Sequence, residues 1–382
     1  MRRAAVIVMD ACGVGALPDA AAYGDEGTNT LGHLAQAAGG LDLPVLGSLG
    51  LGSIVPLTGV PPAREPALHG RLGAQGPGKE STTGHWELMG VKVERPLPTY
   101  PDGFPPDVVA VLEQATTQRF CCNRPFSGTA VLDAFGEHHL ASGELILYTS
   151  ADSVLQIAAH IEVLSEPELY EVCAAAREVM SGEHAVGRVI ARPFDGGPGA
   201  WHRREGRRDF ALPPPSRSYL QELQAAGVPV HGVGKIRDLF AGVGVDVKHA
   251  GATNAEGIAA TTELLRDLEA GFVFVNLVET DQVYGHRHDV PGFAAALREI
   301  DTAVGEWLAL LGEGDLLVLT ADHGVDPTTS HTDHTRAYAP LLARFDGDGG
   351  RRWDGALADV GASVLRWLTG RDASALPGRS FV

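Results

Sequence analysis

The chain has 382 residues, a hydrophobic fraction of 44% and a formal net charge of −18. That length accommodates two domains, or one large domain carrying an insertion, and the composition is that of an ordinary globular protein. The acidity argues against nucleic acid or an anionic membrane as the main partner, so an anionic substrate must be held by locally concentrated cations.

The opening "MRRAAVIVMDACG" starts like a signal peptide, but its apolar run of six residues is interrupted at Asp10. No run approaches the roughly 18 apolar residues of a membrane span. Cys12, Cys121, Cys122 and Cys173 fit neither a disulfide framework nor a zinc spacing, and the adjacent Cys121–Cys122 pair reads as space-filling. The expectation is a reduced, soluble, cytoplasmic protein.

"AAVIVMD" (4–10) is a short apolar run, rich in β-branched residues, that ends on Asp10 and leads to Gly13 and Gly15. Next comes "GPGKESTTGHWELMG" (76–90). Gly73 to Lys79 fits a Walker A spacing, but Glu80 stands where Ser or Thr should hold Mg²⁺ and no apolar strand precedes it, so that reading fails. Two readings remain: a flexible loop, or a nucleophilic hydroxyl in a Gly-rich turn leading into a helix. In the second, a nearby metal lowers the hydroxyl pKa and the N–H groups at the helix start hold a phosphoryl group. Ser81, Thr82 and Thr83 all compete for that role.

Residues 96–212 differ in character. They open with "PLPTYPDGFPPD" and close with "RRDFALPPPSRS", Pro-rich borders that suit crossings between domains. Within them "GELILYTS" and "VGRVIARPF" read as strands, and "SEPELYEVCAAAREVMS" as a helix with Ser165 at its N-cap. Arg188, Arg192, Arg203, Arg204, Arg207 and Arg208 crowd the end of this segment. Guanidinium forks suit phosphate, although Arg204, Arg207 and Arg208 read more simply as a solvated patch. Lysine is scarce, and Lys79 and Lys235 lie in the glycine-flanked stretches "GPGKE" and "HGVGKIRD".

After the second border, "SYLQELQAAGVPVHGVGKIRDLF" resumes a helix–strand alternation. "GFVFVNLVETD" (271–281) ends on Glu279 and Asp281, and "GDLLVLTADHG" (314–324) runs into Asp322 and His323. Between them "PGFAAALREIDTAVGEWLALLGEG" reads as a helix closed by glycines, making a βαβ unit. Continuously apolar short runs are the habit of parallel strands buried on both faces. The predicted fold is therefore α/β: a mostly parallel central sheet in a discontinuous core, 1–95 and 213–382, with an inserted α+β domain over 96–212.

In open α/β sheets ligands sit beyond the carboxyl ends of the strands. Asp10, Asp281, Asp322 and His323 all fall at strand ends, with His286 and His334 in the loops just beyond. Any one of them alone reads as a loop acid or an exposed histidine. Together they read as a metal site. A mixed carboxylate and imidazole set suits Mn²⁺, Zn²⁺ or Fe, whereas oxygen alone would suit Mg²⁺ or Ca²⁺. Six ligands favour two metals, the common arrangement for displacement at phosphorus. His288, His331 and Asp333 are neighbours that either support the ligands or take no part.

"VIVMDACGVGALPDA", "GKESTTGHWELMG", "YTSADSVLQIAAH", "GRVIARPF", "HGVGKIRDLF", "NLVETDQVYGHRHD" and "TADHGVDPTTSHTDHTR", with the closing "GRSF", resemble the phosphopentomutase family of the alkaline phosphatase superfamily. The resemblance runs nearly end to end. It implies an alkaline-phosphatase-like core with an inserted cap, two Mn²⁺ ions and a phosphorylated threonine. The reaction it implies moves phosphate between C1 and C5 of ribose or 2-deoxyribose, through a bisphosphate that also serves as activator, and links nucleoside breakdown to pentose phosphate metabolism. The family pattern puts one metal on Asp10, Asp322, His323 and the nucleophile, and the other on Asp281, His286 and His334. It puts the sugar phosphate on Ser150, Asp152, Arg188, Ile190, Arg203 and Lys235. Three positions depart from it: Ser81 stands at the usual threonine, Val325 at the asparagine of D-H-G-N-D, and His331 at the glycine of G-T-D-H-T. The alternatives are a phosphatase, a phosphoglycerate mutase on the same core, and a sugar-phosphate binding protein without turnover.

Overall fold

The computed structural model describes residues 2–150 and 152–382. Its strands, in chain order, are β1 (Arg3–Met9), β2 (Leu68–Gly73), β3 (Phe120–Pro125), β4 (Leu145–Thr149), β5 (Val154–His160), β6 (Arg188–Gly197), β7 (Ala200–Arg203), β8 (Arg208–Ala211), β9 (Val230–Val233), β10 (Val247–His249), β11 (Gly271–Leu277), β12 (Asp315–Thr320), β13 (Ala339–Arg344) and β14 (Gly355–Ala356). The chain divides into two compact units, Met1–Arg95 with Pro213–Val382, and Pro96–Leu212.

The first unit holds an eight-stranded sheet in the order β10-β9-β11-β1-β12-β13-β2-β14. From β10 to β12 every neighbour is parallel, while β13 runs antiparallel to both β12 and β2. The parallel block follows from composition. β11 is buried at every residue and β1 at all but its first, so both faces are almost wholly apolar, and the buried Asn276 near the end of β11 is matched by a polar partner, Asp10. Register then decides where the chemistry lands. Val8 is level with Asn276 on one side and Thr320 on the other, and Val275 with Val233. The carboxyl ends of β1, β9, β11 and β12 therefore reach one edge, and Asp10, Lys235, Asp281 and Asp322 follow them within a few residues.

The helix between β11 and β12 spans Val290–Leu310, with Pro291 in its first turn and Asp289 accepting from Gly292 N. It ends differently from the sequence expectation. The next residue, Leu311, is already extended, and Gly312 donates to Asp315 at the start of β12 instead of capping the helix. Among the described residues no helix is long and apolar enough to cross a membrane.

The second unit is a six-stranded mixed sheet, β3-β4-β5-β6-β7 with β8 on β6. Alternation along β4 feeds two cores. Leu145 and Leu147 pack with Val108, Leu112 and Leu169 on one face, while Ile146 and Tyr148 pack with Val131, Leu132 and Phe194 on the other. The helix Glu166–Val179 begins at Ser165 with a capping box completed by Glu168.

Candidate metal centre

Asp10 follows β1 directly and is fully buried. Asn276 Nδ2 donates to its Oδ2 at 3.0 Å, and Thr280 Oγ1 donates to its main-chain oxygen at 2.7 Å. The next residue, Ala11, has φ +63°, a left-handed conformation that a non-glycine residue adopts at a cost. Its N–H donates to Asp322 Oδ1 at 3.2 Å, joining the end of β1 to the loop after β12.

Three imidazole nitrogens converge on these acids. His323 Nε2 lies 3.4 Å from Asp10 Oδ1 and 3.3 Å from Asp322 Oδ2. His286 Nε2 and His334 Nε2 lie 3.2 and 3.4 Å from Asp281 Oδ1, and 3.2 Å from each other. The opposite nitrogen of two rings is already committed: His286 Nδ1 to Thr332 O at 2.6 Å, and His323 Nδ1 to Gly324 O at 3.2 Å. In the neutral ring that leaves Nε2 as a lone pair aimed at the carboxylates, the arrangement a metal-ligating histidine needs.

The donor set fits a divalent cation. Asp10 Oδ1, Asp281 Oδ1 and Asp322 Oδ2 are buried without a hydrogen bond, and such orphaned acceptors are costly unless a cation compensates them. Burial pushes the Asp10 carboxyl well above its ordinary range, and the charges of Asp322 and Asp281 push it the same way. Burial works against Asp281 and Asp322 too, but the imidazoles of His286 and His334 hold Asp281 well below the usual range, and His323 and His85 do the same for Asp322. Two groups of donors each fall within 4.8 Å: Asp281, His286 and His334, and Asp10, Asp281 and His323. Asp281 therefore lies between the two halves that the family pattern separates.

The segment 76–90 closes the site. The helix Ser81–Leu88 starts with Glu80 at its N-cap, so Ser81 is its first residue and does not cap it. Ser81 Oγ lies 3.0 Å from His323 Nε2. Thr83 is buried and its hydroxyl donates to Glu80 O at 3.1 Å. The "GHWE" run holds the helix down. His85 Nδ1 sits 2.8 Å from Ser81 O and 3.1 Å from Asp322 Oδ2, Trp86 Nε1 donates to Leu239 O at 2.9 Å, and Glu87 accepts from Gly76 N at 3.1 Å. Gly84 is required here, because a Cβ would stand 2.5 Å from Asp322 O.

Sequence reasoning missed the roles of His85, Asn276 and Asp25. Asp25 is buried, takes an ion pair from Lys79 at 2.9 Å and a bond from Arg336 N at 2.8 Å, and has His331 Nε2 at 3.8 Å. The loop before Ser81 is thereby tied to the His-rich loop, and the unexpected His331 has an acid beside it. Val325, the other departure, is fully buried. Asp326 accepts from Asn29 N and Thr328 N and meets His33 Nδ1 at 2.6 Å, so it orders the loop and stands apart from the ligands.

The remaining sequence candidates lie in or beside strands. Lys235 follows β9 in the first unit, and its charge partly offsets the upward push on Asp10. In the second unit Arg188 reaches Asp209 at 3.5 Å and Asp152 at 4.0 Å. Arg203 donates to Gly128 O at 3.0 Å. Ile190 is buried in β6, level with Gln156 of β5 on one side and Asp209 of β8 on the other. Ser150 follows β4 directly.

The model of the Metalloenzyme superfamily matches residues 2–370. A phosphopentomutase of Dictyoglomus thermophilum is 49% identical over 343 residues, 90% of this chain and 88% of the relative. The chain belongs to the phosphopentomutase family. A second phosphopentomutase, from Caldanaerobacter subterraneus subsp. tengcongensis, is 50% identical over 344 residues, 90% of this chain and 87% of that one. Among solved structures, the PH0037 protein of Pyrococcus horikoshii shares the fold at a TM-score of 0.50 and 14% identity, covering 97% of this chain and 98% of its own. Family membership makes the chain a metalloenzyme, with the acid and histidine cluster as the candidate site for its metal.

Proposed function

We propose that this chain is an isomerase that interconverts the 1-phosphate and 5-phosphate of ribose or 2-deoxyribose, with Ser81 carrying the phosphoryl group. The observation that carries the reading is the 3.0 Å approach of Ser81 Oγ to His323 Nε2, at the edge of the metal centre of a phosphopentomutase-family chain. Asp10, Asp322 and His323 with Ser81 would hold one Mn²⁺, and Asp281, His286 and His334 the other. A bound pair would supply charge that lowers the hydroxyl pKa and offsets the charge developing on the transferred phosphoryl group.

The chain's own residues account for the rest. Ser81 is the first residue of its helix, where the dipole and unpaired N–H groups favour a phosphate on Oγ. The phosphorylated Oγ gives its phosphoryl group to the free hydroxyl of a pentose monophosphate: one O–P bond breaks, another forms, and a bisphosphate results. The bisphosphate returns its other phosphoryl group to Ser81, so a catalytic amount of bisphosphate primes the cycle. Arg188 and Arg203 are suited to hold the phosphate that is not reacting, with Ser150, Asp152, Ile190 and Lys235 contributing to the sugar site. We read the inserted unit over 96–212 as the substrate-specificity domain, since it carries Arg188 and Arg203. The setting is cytoplasmic.

Turnover of ribose 1-phosphate with Mn²⁺ and trace bisphosphate tests the reading. Ribose 5-phosphate is the expected product. Free phosphate would identify a phosphatase, turnover of phosphoglycerate alone a different mutase, and binding without product a non-catalytic protein.

A further inference from the structure

The inserted unit holds a cluster of metal-ligating side chains that the proposed reaction does not use. Cys121 lies in β3, level with Ile146 of β4. The helix Ala130–Ser142 brings His138 to the same edge, and the chain reverses at Gly143, with φ +76°, to deliver Glu144 just ahead of β4. The cysteine sulfur, an imidazole nitrogen and a carboxylate oxygen all lie within 4.8 Å of one another.

The main chain at this corner is fixed in advance. Glu144 N donates to Ser142 Oγ at 3.1 Å, and Glu144 O accepts from His139 Nδ1 at 2.7 Å and, more weakly, from Cys121 Sγ at 3.9 Å. His139 is itself buried, and its Nε2 accepts from His160 N at 2.8 Å, so its tautomer is set. On the outer side His138 Nε2 meets Glu144 Oε2 at 2.8 Å. An exposed imidazole–carboxylate pair by itself adds little to stability, and it does not call for a sulfur. The third donor is what sets this corner apart.

We propose that Cys121, His138 and Glu144 bind a zinc ion, with water completing a tetrahedral set. Thiolate, imidazole and carboxylate are the ligands zinc takes, while Mn²⁺ and Mg²⁺ prefer sites without sulfur. On binding, the Cys121 thiol loses its proton to solvent as the sulfur–zinc bond forms, and the ring proton of neutral His138 exchanges through solvent from Nε2 to Nδ1, which frees the Nε2 lone pair for zinc. Burial and the nearby Glu144 charge push the free thiol up to about 12, so the site weakens as pH falls. Its effect is to fasten the end of one helix to the edge strand of the sheet.

The test uses the full-length, Mn²⁺-loaded protein titrated with Co²⁺, whose thiolate charge-transfer absorption reports sulfur coordination alone. The absorption is expected in the wild type, lost in Cys121→Ser, and retained in Cys12→Ser, Cys122→Ser and Cys173→Ser. His138→Ala alters a side chain that is 53% exposed, and should weaken Co²⁺ binding at this site by more than about tenfold. In parallel, metal analysis after Zn²⁺ loading and dialysis should find one more zinc per chain in the wild type than in Cys121→Ser. No sulfur absorption in the wild type, or absorption that survives Cys121→Ser, overturns the proposal. Equal zinc content in the two proteins does so as well.

Discussion

His85 Nδ1 lies 3.1 Å from Asp322 Oδ2, with both side chains fully buried, and the same nitrogen is 2.8 Å from the main-chain oxygen of Ser81. One ring thus spans a proposed metal ligand and the backbone of the proposed nucleophile. Burial opposes a charge on His85, yet the Asp322 charge raises its pKa regardless. Replacing His85 by alanine should lower Mn²⁺ affinity by roughly 10–100-fold, the usual cost of losing a partner that orients a ligand. Metal content after dialysis against graded Mn²⁺ measures this, and unchanged affinity would remove His85 from the centre.

Gly84 sets how closely that helix approaches the centre. A methyl group there would stand 2.5 Å from Asp322 O and 2.9 Å from its Cβ, and neither neighbour is the loose end of a flexible chain. Gly84→Ala should cost about 1–3 kcal/mol of stability, the usual range for overpacking. It should also reduce mutase turnover, because the shift moves Ser81 relative to His323. Urea unfolding and turnover would be read on the same preparation, and an Ala variant with both values intact would contradict the tight packing.

The parts of this fold legible in the sequence are those where one residue type has one physical use. Continuously apolar runs such as 4–9 and 271–275 must be buried on both faces, and acids within a few residues of their ends must sit at a sheet edge. The antiparallel flank of β13, β2 and β14 carries no such mark, since "HGRLG" reads equally as loop. His85 and Asn276 were invisible for another reason. Their partners, Asp322 and Asp10, lie more than two hundred positions away in sequence, and only the register brings them together. Likewise the left-handed conformation of Ala11 leaves no trace in an alanine.

In the second unit Arg207 grips Asp209 with two bonds of 2.7 Å, and Arg188 adds a third at 3.5 Å. Burial alone would raise the Asp209 carboxyl, but these guanidinium groups outweigh it and hold it below its ordinary 3.8. A depressed folded value means that ionised Asp209 stabilises the fold above its unfolded pKa, and that this stability is lost as pH falls through the folded value. Asp209→Asn should therefore be less stable than wild type at neutral pH, by roughly 1 kcal/mol since the pair is partly solvent-screened. The gap should close below 3.8. A gap that stays constant into acid would assign the effect to packing.

Removing the metal should expose the repulsion among Asp10, Asp281 and Asp322. A bound ion stabilises by mass action, about 2.7 kcal/mol when its concentration is a hundred times its dissociation constant. Thorough chelation should thus lower the thermal midpoint and abolish turnover, and Mn²⁺ should restore both. Mg²⁺ should restore turnover less well, because three of the six proposed ligands are imidazoles. Equal recovery with Mg²⁺ would count against the Mn²⁺ assignment while leaving the centre itself intact.

Three adjacent hydroxyls remain to be separated by experiment, and the structure treats them differently. Thr83 is buried with its hydroxyl committed to Glu80 O, whereas Ser81 Oγ is 3.0 Å from His323 Nε2. Ser81→Ala should reduce mutase turnover by more than about a thousandfold, as loss of an activated nucleophile does. It should also prevent the gain of one phosphoryl group on incubation with pentose bisphosphate, read by intact-protein mass. Thr82→Ala and Thr83→Ala should keep both. Serine lacks the methyl that restricts χ1, so Ser81→Thr should remain active and hold its hydroxyl in fewer rotamers. A phosphoryl group mapped to Thr82 or Thr83 would move the nucleophile one or two residues along the helix. The acids and imidazoles around it would keep their assignment, since their convergence does not depend on which hydroxyl reacts.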